Sequence, residues 1–224
     1  MANYAVSPDL LKNYLPKGLE LDFYKNNTYV SLVGFMFKNT RLFNIPVPIW
    51  GTFEEINLRF YVKRIEGNTV KRGVVFINET VPSRMIAWVA NKLYKEHYIA
   101  LQTKNKIEIT NHSKSIKYRW KLNKEWNHIE AYTDLKNDSM LPDSMEEFIF
   151  EHYYGYTKVN NQISQEYKVN HPRWQINKVK DYSIECNFKS MYGNEFSILS
   201  NQQPYSVIVA KGSAVSVKWK RTTF

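Results

Sequence analysis

The segment most informative about this chain is Trp50-Gly51-Thr52-Phe53-Glu54-Glu55-Ile56-Asn57-Leu58-Arg59-Phe60-Tyr61-Val62. Its side chains alternate between apolar and polar, and successive side chains of a β-strand point to opposite faces, so the segment predicts a strand with two different rows. One row is apolar and consists of Ile56, Leu58, Phe60 and Val62. The other row is polar and consists of Glu55, Asn57, Arg59 and Tyr61. A polar row is typical either of a solvated outer face or of the wall of a polar interior cavity, and the periodicity alone leaves both open.

The length and composition predict a single domain spanning residues 1–224. Of the 224 residues, 43% are hydrophobic and 15% are aromatic, enough for one substantial core. Aromatic rings suit pleated, half-buried surfaces and the walls of apolar pockets. Only 8 Gly and 8 Pro are present, and no low-complexity linker divides the chain.

The sequence offers no motif for a metal or a nucleotide cofactor. The single cysteine, Cys186, excludes an internal disulfide framework and a cysteine-based zinc cluster. Histidine–carboxylate zinc motifs, Gly-x-Gly-x-x-Gly and phosphate loops are absent from the sequence. Residues 1–25 lack the apolar run of a signal peptide, and nowhere are there about 18 consecutive apolar residues. We therefore expect a cytoplasmic protein with no cofactor, no metal and no membrane partner.

The net charge of +10 raises the question of nucleic-acid binding. However, the basic residues of the strand predicted over Ser115–Leu122 alternate with apolar ones, which is typical of a solvated strand face. The basic region 104–124 is also followed by an acidic region, 130–151, which can compensate its charge. The sequence therefore predicts no nucleic-acid partner.

Three short helices are predicted, each from a signal at its start. Ser7 precedes Pro8, Ser83 follows a proline, and Ser144 with Glu147 forms a capping box. The predicted spans are Ser7–Pro16, Ser83–Tyr94 and Ser144–His152. Because most of the remaining chain is predicted as strands in hairpins, we expect an α+β fold dominated by antiparallel sheet.

Five segments, in order, resemble one family. They are Leu15–Asp22, Phe53–Val62, Glu151–Thr157, His171–Trp174 and Gly212–Val217. This order is similar to that of the DUF2071, or YqjF-like, family, and the resemblance covers essentially the whole chain. The family is similar in fold to acetoacetate decarboxylase. The resemblance therefore implies a strongly curved, mostly antiparallel β-barrel or cone around a central cavity, and it favours an inward orientation of the polar row.

The decarboxylase forms a Schiff base between a lysine and its ketone substrate, and a glutamate and an arginine complete its site. By position, Glu55 matches the glutamate, whereas Ala5 stands at the arginine position. His97 and Tyr98 stand where the family of the decarboxylase has paired lysines. Imidazole and phenol cannot form the stable imine of a primary amine, and Lys92 and Lys95 are out of register. The resemblance therefore argues against Schiff-base decarboxylation.

Two functions remain open, with a structural or protein-interaction role as a third alternative. In the first, a central cavity binds a small organic acid or carbonyl compound without turnover. In the second, the protein is an enzyme on such a substrate that uses Glu55 as acid or base, with Arg59 or His97 orienting the substrate. The predicted ligand-binding residues are Glu55, Asn57, Arg59, Tyr61, His97 and Tyr98. A homo-oligomer is compatible with either function, and the sequence does not predict whether His97, His152 and His171 converge.

Overall fold

A computed structural model describes residues 1–42, 45–46, 51–218 and 221–224. The described residues form an α+β fold in which strands predominate. The strands are β1 (Ala2–Val6), β2 (Glu20–Leu21), β3 (Thr28–Phe37), β4 (Arg41–Leu42), β5 (Ile45–Pro46), β6 (Phe53–Glu66), β7 (Thr69–Val81), β8 (Tyr98–Ala100), β9 (Gln102–Ile109), β10 (Lys114–Leu122), β11 (Glu125–Ser139), β12 (Tyr154–Lys158), β13 (Ser164–Asn170), β14 (Gln175–Glu185), β15 (Ser206–Val207), β16 (Val209–Ala210), β17 (Ser216–Val217) and β18 (Thr222–Thr223).

The three predicted helices are present, and their starts are at the predicted serines. They are α1 (Pro8–Leu11), α2 (Arg84–Tyr94) and α3 (Met145–Phe150), and they are followed by α4 (Phe188–Tyr192) and a 3-10 helix (Asn194–Asn201). The Ser7 hydroxyl accepts from the backbone N–H of Asp9, and the Ser83 hydroxyl accepts from two N–H groups of the first turn of α2. Ser144 accepts from the N–H of Glu147 at 3.2 Å, which is one half of the predicted capping box.

Two sheets contain most of the strands. The larger has eleven strands in the order β15-β1-β3-β6-β7-β12-β13-β17, with β2, β8 and β18 paired beside β6, β7 and β13. The smaller has five strands in the order β16-β14-β11-β10-β9. Neighbouring strands are antiparallel except that β7 pairs in parallel with β8 and with β12. Among the described strands, neither sheet closes on itself, so the mostly antiparallel α+β fold is confirmed whereas the barrel or cone is not.

The two rows predicted on β6 face different surroundings. All four residues of the apolar row are 0% exposed and belong to a core that includes Trp120 of the smaller sheet and Phe196 of the 3-10 helix. Gly34 allows the sheets to approach, because a Cβ there would lie 2.7 Å from the ring of Tyr118. On the other face, Tyr61 packs under α3 in a second core with Phe148. The polar row is therefore covered rather than solvated at this end of the strand.

The sequence did not predict the long strand β11. Its buried positions alternate as a strand requires, but Ile129 shares this row with Asn127, Ala131 and Thr133, which are polar or small. Such a row gives a weak period-two signal, and the pairing with β10 and β14 compensates for it.

Among the described residues, no helix has both the length and the apolar character needed to cross a membrane.

Candidate functional site

Three glutamates from separate parts of the chain come together on the polar face of β6. Glu55 lies on β6, Glu79 lies on β7, and Glu96 lies in the connection between α2 and β8. We call these three residues the carboxyl cluster. They are 2%, 1% and 8% exposed, respectively, so the cluster is buried. Three buried carboxyl groups are costly in an ordinary core, which makes this cluster the strongest candidate for a functional site.

Strand pairing and one asparagine bring the cluster together. Glu79 is the cross-strand neighbour of Asn57 on β6 and the parallel neighbour of Tyr98 on β8. Helix α2 ends at Tyr94 with Lys95 as its C-cap, and the side chain of Asn91 in its last turn accepts from the backbone N–H of Tyr98 at 2.7 Å and donates to its C=O at 2.9 Å. These two hydrogen bonds fix the position of β8 relative to the helix.

Burial dominates the electrostatics of the cluster. Burial, opposed by the Asn57 hydrogen bond and assisted by the negative charge of Glu96, raises the pKa of Glu55 to about 7. Burial likewise raises the pKa of Glu96 to about 7, against hydrogen bonds from Tyr167, Glu79 and Thr157. The pKa of Glu79 lies well above its usual range because of burial and then the charges of Glu96 and Glu55. At neutral pH the cluster therefore retains protons on carboxyl groups.

Neutral hydrogen-bond donors surround the carboxyl oxygens. The Asn57 amide donates to Glu55 at 3.0 Å, and the Tyr98 hydroxyl donates to the same carboxyl group at 3.4 Å. Burial raises the pKa of Tyr98 well above its usual range, so this phenol stays protonated and serves as a donor. Tyr167 and Thr157 donate to Glu96 at 2.7 and 3.4 Å.

Polar atoms in and beside the cluster are left without partners. Among the described residues, the Oε2 of Glu79, the Oδ1 of Asn57 and the Nε of Arg59 are buried and make no hydrogen bond. Buried polar groups are usually satisfied, so such atoms mark places where a ligand or water is expected. A protonated carboxyl and a guanidinium can donate to a carbonyl or carboxylate oxygen, and the asparagine oxygen can accept from a hydroxyl.

The other two residues of the predicted row, Arg59 and Tyr61, continue along the same face of β6. Arg59 is half-buried, with its guanidinium carbon 5.7 Å from the centre of the Tyr61 ring, and its charge opposes the rise in the pKa of Glu55. Tyr61 is buried, and its hydroxyl lies 2.6 Å from the hydroxyl of Ser31. The structure therefore brings Glu55, Asn57, Arg59 and Tyr98 together, with Tyr61 farther along the same face.

His97, in contrast, does not join the cluster, and its expected substrate-orienting role stays a prediction. Its side chain is exposed, whereas its backbone carbonyl accepts from the N–H of Glu79 at 3.1 Å. The physical reason is strand alternation: Glu96 and Tyr98 share one side of the extended chain, so the residue between them points away. The side chains of Lys92 and Lys95 are exposed as well.

Glu79 and Glu96 were not predicted as site residues from the sequence. Glu79 lies on β7, and only the pairing of that strand with β6 shows that it is a neighbour of Asn57. Glu96 and Tyr98 are two residues apart, and an extended chain places such side chains on the same side. This spacing could have predicted that Glu96 lies beside Tyr98.

The three histidines lie in three separate environments. His152 is buried beneath Tyr61, and its Nε2 lies 3.1 Å from Asp22, which Arg72 also contacts at 2.9 Å. Burial raises the pKa of Asp22, but the hydrogen bond and charge of His152 and the charge of Arg72 outweigh it, so the pKa is lowered. His171 instead stacks on Trp174 at 4.3 Å between ring centres. The histidines therefore form no common site with Glu55.

A pocket of about 510 Å³ lies at a different place, lined by the segments 139–140, 172–175 and 211–213. It includes none of the predicted ligand-binding residues, so a cavity at Glu55 stays a prediction. Within the described ranges, no three His, Cys, Asp or Glu side chains are arranged to hold a metal ion.

Comparison with known proteins places the chain among related sequences and folds. The DUF2071 family model, described as an uncharacterized conserved protein, matches residues 1–214. The uncharacterized protein YqjF of Bacillus subtilis (strain 168) is 28% identical over 179 residues, which are 78% of this chain and 70% of YqjF.

Solved structures share the fold at low identity. Acetoacetate decarboxylase from Legionella pneumophila is 12% identical with a TM-score of 0.58, covering 93% of this chain and 76% of the decarboxylase. The enduracididine biosynthesis enzyme MppR, complexed with pyruvate, is also 12% identical with a TM-score of 0.58, covering 93% of this chain and 80% of MppR. The acetoacetate decarboxylase-like fold implied by the sequence resemblance is thus confirmed.

Proposed function

The chain belongs to the DUF2071 family, and from this premise and its buried carboxyl cluster we propose that it binds a small organic acid that carries a carbonyl group. The observation that supports the proposal is the convergence of three buried carboxyl groups with Tyr98 on one face of β6. In this proposal the surrounding sheet encloses a central cavity at that face.

The proposed ligand follows from the donors on that face. A protonated Glu55 or Glu79 donates a hydrogen bond to the carbonyl oxygen, which an ionised carboxylate cannot do. The guanidinium of Arg59, whose Nε has no partner among the described residues, pairs with the carboxylate of the ligand. The neighbours in fold support this class, since pyruvate and acetoacetate, which their names mention, are both small oxo acids.

Binding can be tested by isothermal titration calorimetry with pyruvate and acetoacetate, using propionate as the analogue that lacks the carbonyl. We expect the oxo acids to bind and propionate to bind at least tenfold more weakly. Replacing Glu55 by Leu removes a buried hydrogen-bonding group, so the affinity for pyruvate should fall about tenfold or more.

The matched control for this experiment is Glu54→Leu. Glu54 precedes Glu55 on β6 and contacts Thr103 and Asn105 on β9 instead of the cluster. If neither oxo acid binds, or if both variants weaken pyruvate binding equally, the binding proposal is wrong.

A second candidate is an acid–base enzyme that works without a Schiff base. The observation that favours it is the pKa of about 7 for both Glu55 and Glu96, because a carboxyl group with that pKa can take up or release a proton near neutral pH. Glu55 would then move a proton at the carbon next to the carbonyl group. Exchange of the pyruvate methyl protons in D₂O, followed by proton NMR, tests this step. We expect Glu55→Gln to abolish any exchange, and unchanged exchange in that variant would contradict the assignment.

A further inference from the structure

The carboxyl groups of the cluster differ in the donors that face them. Glu96 faces the Tyr167 and Thr157 hydroxyls, and the positive charge of Arg221 also lowers its pKa. Glu55 faces the Asn57 amide and the single hydroxyl proton of Tyr98, and the positive charge of Arg59 also lowers its pKa. Glu79 shares the Tyr98 hydroxyl and is hydrogen-bonded to Glu96, and one of its oxygens has no partner among the described residues. A carboxylate is stabilised by each donor it accepts from. Glu96 has three such donors, Tyr167, Thr157 and the protonated Glu79, whereas Glu55 has two, so Glu96 is the best-supported anion of the three.

Tyr167 reaches Glu96 because its cross-strand neighbour is a glycine. Gly155 on β12 stands directly opposite Tyr167 on β13, and the tyrosine ring lies across it. A Cβ at position 155 would lie 2.0 Å from the Cζ and 2.3 Å from the hydroxyl oxygen of Tyr167. Any other residue there must displace the ring that donates to Glu96 at 2.7 Å.

We propose that Tyr167, accommodated by Gly155, is a positioning residue that sets the order in which the cluster ionises. Its hydroxyl makes Glu96 lose its proton first, which leaves Glu55 protonated and able to donate to a ligand. The role of this order in ligand binding rests on the proposed function, but the order itself exists without any ligand.

The charges in the cluster agree with this order. The negative charge of Glu96 raises the pKa of Glu55, and the charges of both raise the pKa of Glu79. The predicted order is therefore Glu96 first, Glu55 second and Glu79 last. The titratable groups that face Glu96 come from every neighbouring element: Glu55 on β6, Glu79 on β7, Tyr98 on β8, Tyr167 on β13 and Arg221 before β18.

The order can be measured by carbon-13 NMR of protein labelled at the glutamate side-chain carboxyl carbon, titrated between pH 4 and 10 without ligand. Single Glu→Gln variants of the cluster assign the three signals. In Tyr167→Phe, loss of the hydroxyl should raise the titration midpoint of Glu96 by about one pH unit or more, because a hydrogen bond to a charged group is lost. The midpoint of Glu55 should move down, because Glu96 no longer carries its charge at the pH where Glu55 ionises.

Opposite movements of the two midpoints distinguish positioning from loosening of the structure. If Tyr167 only supports the packing, its loss admits water and all three midpoints fall together towards that of a free glutamate. That result, or unchanged midpoints, would overturn the proposal.

Three further variants complete the experiment. Gly155→Ala should reproduce the effect of Tyr167→Phe by displacing the ring, and Thr157→Val should give a smaller effect in the same direction. Tyr156→Phe is the matched control, because its hydroxyl donates to the backbone of Lys71 and not to the cluster. Since Tyr167→Phe alone decides the outcome, the proposal stays testable even if Gly155→Ala fails to fold. Calorimetry with pyruvate tests the proposed function separately, so the two can fail independently.

Discussion

Replacing Glu55 by Gln should change how the stability of the protein depends on pH. The pKa of Glu55 is raised by burial, so the folded protein binds this proton more tightly than the unfolded chain does. The stability that this proton contributes is fully present below the unfolded pKa and is lost as the pH rises through the folded pKa. Gln has nearly the same shape and stays neutral, so the variant does not lose stability in this way.

The magnitude follows from the two pKa values. The pKa rises from 4.5 in an unperturbed glutamate to about 7 in the folded protein. Each pKa unit corresponds to about 1.4 kcal/mol, so ionised Glu55 costs about 3 kcal/mol of folding free energy. The difference in stability between Glu55→Gln and the wild type should therefore favour the variant by about 3 kcal/mol more at pH 8 than at pH 4.5.

Urea unfolding, followed by tryptophan fluorescence at both pH values, measures this difference. Glu54→Gln, the same change on the opposite face of β6, provides the baseline for a glutamate outside the cluster. If the advantage of Glu55→Gln over the wild type is the same at pH 4.5 and pH 8, Glu55 is not the proton-binding group that its burial implies.

Three further predictions concern other parts of the molecule. Asp22→Asn should lower the free energy of unfolding by about 3 kcal/mol, because it removes a buried carboxylate that pairs with His152, and urea unfolding measures the loss. The basic strand β10 (Lys114–Leu122) should show no preference among DNA or RNA sequences in fluorescence anisotropy at physiological salt, because its side chains alternate with core residues. Treatment with acetoacetate and borohydride should leave Lys92 and Lys95 unmodified in intact-mass and peptide-mapping measurements, since both lie in water and need not lose their protons.

Each of these predictions has its own control or contrary result. Asp9→Asn removes a surface ion pair to Lys12 whose side chains are 76% and 70% exposed, so its effect on stability should stay below about 1 kcal/mol. Equal losses in the two aspartate variants would show that burial does not decide the effect. Tight binding of β10 to one nucleic-acid sequence would contradict the second prediction. A borohydride-stable adduct on Lys92 or Lys95 would restore Schiff-base chemistry.

Local signals in the sequence determined much of the fold. The alternation from Ile56 to Val62 predicted a strand with two rows, and in the structure the two rows lie on opposite faces of β6, with the apolar row fully buried. Ser7, Ser83 and Ser144 predicted three helix starts, because capping depends on atoms only two or three residues apart. Such features depend on neighbours in the chain and need no tertiary information.

Only the tertiary structure decided which further residues join Glu55 in the site. Glu79 and Glu96 join Glu55 because β7 pairs with β6 and then with β8 in parallel, a register set by contacts far apart in sequence. Strand alternation also explains why His97 points away from the cluster. Only the position of Tyr98 in the structure shows that Glu96 and Tyr98, and not His97, face the cluster. Register shifts by one residue exchange the two faces of a strand, so the identity of a site residue depends on long-range pairing that local sequence does not specify.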